Sequence, residues 1–341
     1  MNSINKKRND CLDVAKGLGI IMVVWVHCSG PLSSYMSQFH MPLFFIISGF
    51  LFNSENSLTE FVIKKIKNLY IPFVTYNLLA TVIMFIVNRD FLLNNSKIKT
   101  ILEIFLTLNK NGQFFGATWF LGSLFVCSIM YKVLYTCLKD YKYKMHYITI
   151  FFIVMAIIGF EITFPYMISR TLILSMFYAI GYIIKVNVNN IRELINPIIF
   201  ISSLVIYIII ASNNSVDLGR NKYNFRFLFV IGAVYGSYII VYFSKIIANW
   251  KKGILKNIKI ICCFLGLNSM DILIWHFIAF RIVIAIQLKL DNISFKNILD
   301  YYPIYNSKNG WWLIYTIIGI SISLSIGKIL QISTWKNKFL H

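Results

Sequence analysis

Charge is scarce in this 341-residue chain: Asp, Glu, Lys and Arg make up 13% of it, and only 13 residues are acidic. A water-soluble fold of this length is thereby excluded, since soluble surfaces need roughly a quarter of all residues charged. No polar stretch is long enough to fold as a soluble domain. The GxSxG elbow, the Walker loop, HExxH and GxGxxG are all missing, which removes the usual support for serine hydrolase, NTPase, zinc protease and dinucleotide-binding readings. Cys11, Cys28, Cys127, Cys137, Cys262 and Cys263 form no CxxC pair and no His/Cys ligand spacing. Small-apolar packing is expected of them, with no disulfide and no metal. Internal repeats and low-complexity tracts are absent too.

What is present is apolar: 58% hydrophobic and 16% aromatic residues, with a mean hydropathy of +0.69. The apolar blocks are too long and continuous for the alternation of a membrane β-barrel, so their backbone must satisfy itself as helices. Spans are predicted at 12–30, 37–53, 70–88, 117–137, 146–164, 168–184, 194–212, 223–244, 265–288 and 310–331. The expected fold is an all-α polytopic bundle of about ten transmembrane helices, one domain over residues 1–341, with both termini cytoplasmic. The first block lacks the small-residue cleavage site of a signal peptide and is expected to be retained.

A net charge of +20 suggests nucleic acid until its distribution is read. With an even number of spans, the cytoplasmic connections hold about twice as many Lys and Arg as the outer ones, with Lys64, Lys65 and Lys67 among them. This is the positive-inside bias, so the charge marks orientation and contact with anionic lipid, and no nucleic-acid partner is expected.

The first block carries Asp13, Lys16 and His27, and the second opens on His40. Ionisable groups within a span cost roughly 2.5–3.5 kcal/mol each, which makes them functional or paired. Eleven residues at about 100° each return to nearly the same azimuth, so Lys16 and His27 share one helix face, with Asp13 close to it. Trp119, Glu161, Arg170 and Arg226 fall at outer span ends, and His276 and Arg281 in the middle and outer half of the ninth span. A polar cavity in the outer half of the membrane is expected. Plainer readings stand beside this one. The arginines snorkel to headgroups, Glu161 pairs with Arg170 across the Pro165 turn, Trp119 belongs to an interfacial belt, and His27 is a helix-to-helix hydrogen-bond partner.

A neutral imidazole in such a cavity deprotonates a hydroxyl and makes it a nucleophile. A cation at the cytoplasmic end of the stripe suits a phosphorylated donor, and arginines at the outer end suit a polar acceptor or an oxyanion.

Arg8-x4-Asp13-x2-Lys16-Gly17 with Val-Val-Trp-Val-His27 resembles the first-helix signature of membrane acyltransferase family 3, in its branch similar to fucose 4-O-acetylase. Phe39-His40-Met-Pro-Leu-Phe-Phe-x2-Ser48-Gly49-Phe50 is similar to the second signature, and 61–73 to the basic loop that follows. Trp119-Phe-Leu, Phe177-Tyr-Ala-Ile-Gly181-Tyr182 and 266–276 match more weakly. Lys16 stands where much of the wider family has Arg. The resemblance implies about ten helices in the bacterial cytoplasmic (inner) membrane and transfer of acetyl from acetyl-CoA to a hydroxyl of a surface glycan or its lipid-linked precursor.

The roles expected on that basis are His27 as base, assisted by His40, with Asp13 orienting Lys16 or lining the donor's way in. Lys16, Arg8, Lys64, Lys65 and Lys67 are the expected donor contacts. Trp119, Glu161, Arg170, Arg226 and His276 are the expected acceptor contacts. The rival readings are a carrier or flippase for a lipid-linked oligosaccharide, or a glycan polymerase. The first predicts broken helices or inverted repeats, and the second a large outer loop with paired arginines.

Overall fold

The structure, a computed structural model, describes residues 9–87, 112–188 and 196–332. Arg8 and most of the expected outer loop 89–116 lie outside the described residues. The chain runs through α1 (Asp10–His27), α2 (Ser33–Met36), α3 (His40–Phe50) and α4 (Leu58–Lys65), then a π-helical turn (Ile66–Tyr70) leading directly into α5 (Ile71–Val87). There follow α6 (Gly112–Phe115), α7 (Trp119–Cys137), α8 (Lys144–Glu161), α9 (Ile168–Asn187) and α10 (Pro197–Asn213). The order ends with α11 (Arg226–Ala248), α12 (Gly253–Leu267), α13 (Ser269–Leu290) and α14 (Trp311–Ile332). Between α10 and α11 a small antiparallel hairpin pairs Val216–Asp217 with Lys222–Tyr223.

Local sequence explains the helix starts. Asn9 caps α1 through the amide of Cys11, Ser57 and Glu60 close a capping box on α4, and Asn196 with Pro197 opens α10; each satisfies amides that have no partner within the helix. Among the described residues, α7, α8, α9, α11, α13 and α14 are long and apolar enough to cross a membrane, and α10 is a shorter apolar helix. The protein is a multi-pass, all-α membrane protein. Ile150, Ile153 and Ile157 on α8 and Ile198, Ile201 and Ile209 on α10 are exposed, as suits helices that meet acyl chains on one side.

Two close crossings set the centre of the bundle. A Cβ at Gly17 of α1 would lie 2.0 Å from the carbonyl oxygen of Cys262 on α12, and one at Gly266 would lie 1.9 Å from that of Asp13. Likewise an added Cβ at Gly49 of α3 would lie 1.9 Å from the Tyr178 carbonyl oxygen of α9, and one at Gly181 would lie 2.0 Å from that of Ile46. In lipid, where no hydrophobic effect drives helices together, such glycine contacts let backbones gain van der Waals contact.

Two expectations change. The predicted span 37–53 contains only the eleven residues of α3, roughly 16 Å of helix and too short to cross alone. The predicted span 265–288 is broken at Asn268, and the Lys-rich stretch before it, read as a connection, is helix α12. That helix is amphipathic: Lys259 reaches Asp10 at 2.6 Å, Cys262, Leu265 and Gly266 are buried, and Ile254, Ile261 and Phe264 are exposed.

Candidate active site

His27 is the last residue of α1 and His40 the first of α3, so the loop between them turns both imidazoles toward one space. The loop is tightly made. Ser29 and Leu32 take the left-handed conformation with φ of 53° and 61°, Trp25 Nε1 donates to the Pro31 carbonyl at 2.8 Å, and Cys28 is anchored against Thr316 at 3.2 Å.

The principal contact is between two histidines 249 positions apart: His27 Nδ1 lies 2.9 Å from His276 Nε2. Their ring planes are 8° off parallel with centroids 5.0 Å apart, the end-to-end arrangement that an in-plane hydrogen bond between two ring nitrogens requires. The partners assign the tautomers. His276 Nδ1 lies 3.0 Å from the Ile272 carbonyl, which only accepts, so Nδ1 carries the hydrogen and neutral His276 offers a bare Nε2. His27 Nδ1–H must then donate to it, which leaves the lone pair of His27 Nε2 free to take a proton. His40 Nδ1–H likewise donates to the Met36 carbonyl at 2.9 Å, leaving its Nε2 bare.

His27 and His40 line a cavity of about 840 Å³ with Trp119, Arg170 and Tyr302, within the size range of small-molecule sites. Arg170 stacks over the Trp119 ring at 5.0 Å and donates from Nη2 to the Gly219 carbonyl at 2.8 Å. The hairpin segment thus becomes a wall, contributing Val216 to Arg220. On the other side Tyr302 stacks on Phe277 at 5.3 Å, and Phe277 lies 4.8 Å from the His27 ring. Arg281 holds this loop in place, donating to the carbonyls of Ile298 at 2.6 Å and Tyr301 at 2.8 Å.

A second cavity of about 270 Å³ lies toward the other end of α1, lined by Lys16, Ser48, Phe120, Gly266, Ser269 and others. Met41 stands on the wall of both cavities. Its unbranched thioether, a side chain that adapts readily to its surroundings, thus lies between the space lined by Lys16 and the space lined by His27.

The structure brings together only some of the expected site. His27, His40, Trp119 and Arg170 share the large cavity. Lys16 lines the smaller one, with Asp13 beside it at 3.7 Å. Asp13 is therefore roughly 21 Å below His27 along the helix, too far to share its chemistry. Glu161 pairs with Arg226, not with Arg170, and both side chains are largely exposed away from the cavity; such a pair adds about 1 kcal/mol at most. His276 is fully buried and sits behind His27, off the wall of the large cavity. Lys64 at the end of α4 and Lys67 in the π-turn are exposed. Lys65 lies over the Phe61 ring at 5.3 Å, and burial, then the neighbouring Lys64, push its ammonium down to about 8, so it gains from any anion that arrives.

Sequence reasoning missed the 216–220 wall, Tyr302 and Met41. These residues have no motif; only Met41 lies inside a quoted signature, as an apolar residue among many.

His276→Phe should lower turnover by roughly 10- to 100-fold, the cost of losing one oriented hydrogen bond to a catalytic base. His276→Gln, which keeps an acceptor near the Nε2 position, should recover much of it. Equal losses in both, or a limb of the pH–rate profile unmoved in the Phe variant, would reduce His276 to packing.

A family model described as an acyltransferase domain, that of acyltransferase family 3, matches residues 9–328. No curated protein and no solved structure matches the chain.

Proposed function

We propose, from the premise that this chain belongs to acyltransferase family 3, that it moves acetyl from cytoplasmic acetyl-CoA to a hydroxyl of a surface polysaccharide or its lipid-linked precursor. It is a membrane acyltransferase, and the carrier and polymerase readings give way to that chemistry. The similarity of its first two motifs to the fucose 4-O-acetylase branch supports a sugar hydroxyl as acceptor. The charge bias of the connections supports an orientation with the large cavity outermost, and the family resemblance supports the bacterial inner membrane as its setting.

The observation that carries the reading is the bare Nε2 of His27 on a cavity wall, its tautomer fixed by His276. The donor's phosphates would meet Lys16 and the lysines of 64–67, and the arm that carries its thioester would rise past Met41. His27 Nε2 takes the proton of the acceptor hydroxyl as that oxygen attacks the thioester carbonyl. The C–S bond then breaks, the thiolate recovers the proton from the imidazolium, and an ester and a free thiol leave. The protonated intermediate form of His27 is stabilised because its Nδ1–H still donates to a neutral imidazole. Stacking on Trp119 and hydrogen bonds to Arg170 suit a sugar ring in the large cavity.

The test is a strain lacking the protein. Its surface polysaccharide should keep full length and lose acetyl esters, read by NMR of the isolated polymer. Loss of the polymer itself, or unchanged acetylation, would overturn the reading.

A further inference from the structure

A third space, of about 510 Å³, is a groove walled almost wholly by apolar side chains, including Phe73, Phe125, Val126 and Leu172, and it adjoins the active-site cavity. Tyr166 and Met167 line both. Tyr166 takes the left-handed conformation, φ 60°, uncommon for a bulky residue, and stands at the junction. Gly122 lies on the groove wall, where a Cβ would meet the Phe73 ring at 3.2 Å. The groove is separate from the smaller cavity proposed for the donor. Phe120, Leu121 and Leu124 of α7 face that cavity, whereas Gly122, Ser123, Phe125 and Val126 face the groove. The π-turn divides the two spaces in the same way, with Leu69 on one and Tyr70 on the other.

We infer that the groove holds the hydrocarbon chain of the acceptor, so that the substrate is a sugar carried on a long-chain lipid phosphate and not a finished polymer. This rests on the acyl-transfer reading above and makes it more specific. Three facts select this occupant. The groove lies on helices that meet lipid, with Val126 43% exposed, so a chain enters sideways from the bilayer. It ends at the polar cavity, so a molecule seated in both must be apolar at one end and polar at the other. Arg170 sits on the same helix as the groove residues Thr171 and Leu172 and lines the cavity. One of its five donors is used on Gly219, and a guanidinium at that junction matches the phosphate joining chain to sugar. The donor is excluded as occupant because α7 separates its proposed route from the groove.

The experiment uses the full-length protein in detergent with a diazirine-bearing polyprenyl phosphate as photoprobe. Labelling is expected in the peptides spanning 122–126 or 166–172, competed by unlabelled polyprenyl phosphate and not by phosphatidylglycerol. Val126→Trp and Leu172→Trp each fill the groove from its lipid side and should weaken labelling by roughly tenfold or more, with an unchanged thermal unfolding midpoint. Equal competition by phosphatidylglycerol would mean an ordinary bilayer lipid only. That result, or labelling indifferent to both tryptophans, would overturn the inference. The label needs no chemistry, so His27→Ala protein should label like the unaltered protein. Failed labelling beside intact acetylation in cells would defeat the groove assignment alone. Normal labelling in a protein that acetylates no glycan would defeat the proposed function instead.

Discussion

His27→Ala should lower acetyl transfer by about 10²- to 10⁴-fold, the usual worth of a positioned general base, while leaving the protein folded in the membrane. His27 is the end of its helix and half-buried at a cavity wall, so removing the ring enlarges the cavity toward Phe277 and His276, where water can replace the lost hydrogen bond. What is lost is an imidazole whose Nε2 is bare while its Nδ1–H donates to a second imidazole. His40 presents a bare Nε2 on the same cavity, yet its Nδ1–H donates to a carbonyl, a weaker acceptor for an imidazolium than a second imidazole. His40→Ala should therefore be the milder variant. Acetyl esters on the glycan, measured at matched membrane protein levels, decide it. Normal product in the His27 variant, or a larger loss in the His40 variant, would move the base from 27 to 40.

Gly17→Ala and Gly266→Ala should each remove most of the folded protein. The methyl would stand about 2 Å from a carbonyl oxygen of the facing helix, Cys262 in one case and Asp13 in the other. A backbone atom cannot rotate aside as a side chain does, so α1 and α12 must separate along their contact. Overpacking a core by a methylene costs about 1–3 kcal/mol, and here the loss extends to every neighbouring contact, including the Lys259–Asp10 pair. Against a stability of roughly 5–15 kcal/mol for a typical domain, such a change is large. The readout is the yield of monodisperse protein after detergent extraction and its thermal midpoint. Ile261→Ala, at a side chain 56% exposed on the same helix, should behave like the unaltered protein. Wild-type yield and midpoint for both glycine variants would mean that the two helices do not cross this closely.

The sequence made the membrane character plain, because hydropathy is local: a run of apolar residues needs no partner to be recognised. It also gave the stripe on α1, since helical periodicity alone puts Lys16 and His27 on one face. Its errors came where the deciding neighbour is remote. Lys251 to Lys259 read as a connection because the lysines were counted as charge, while the partner of Lys259 is Asp10 at the far end of the sequence. Of the plainer readings, the pairing of Glu161 with Arg170 is suggested by nearness in sequence, whereas the fold brings Glu161 to Arg226. Periodicity places His276 in the middle of its helix and cannot reveal that its Nε2 meets Nδ1 of another histidine 249 positions away.

By itself, then, the sequence determined that this chain is a helical membrane protein with an imidazole and a cation on one stripe, since those follow from composition and the 3.6-residue turn. Which nitrogen of His27 is bare, which residues wall the cavity and where the apolar groove meets it emerge only on folding. Those depend on contacts between segments distant in sequence, and a hydrogen bond acting over about 3 Å leaves no periodic signal in the order of residues.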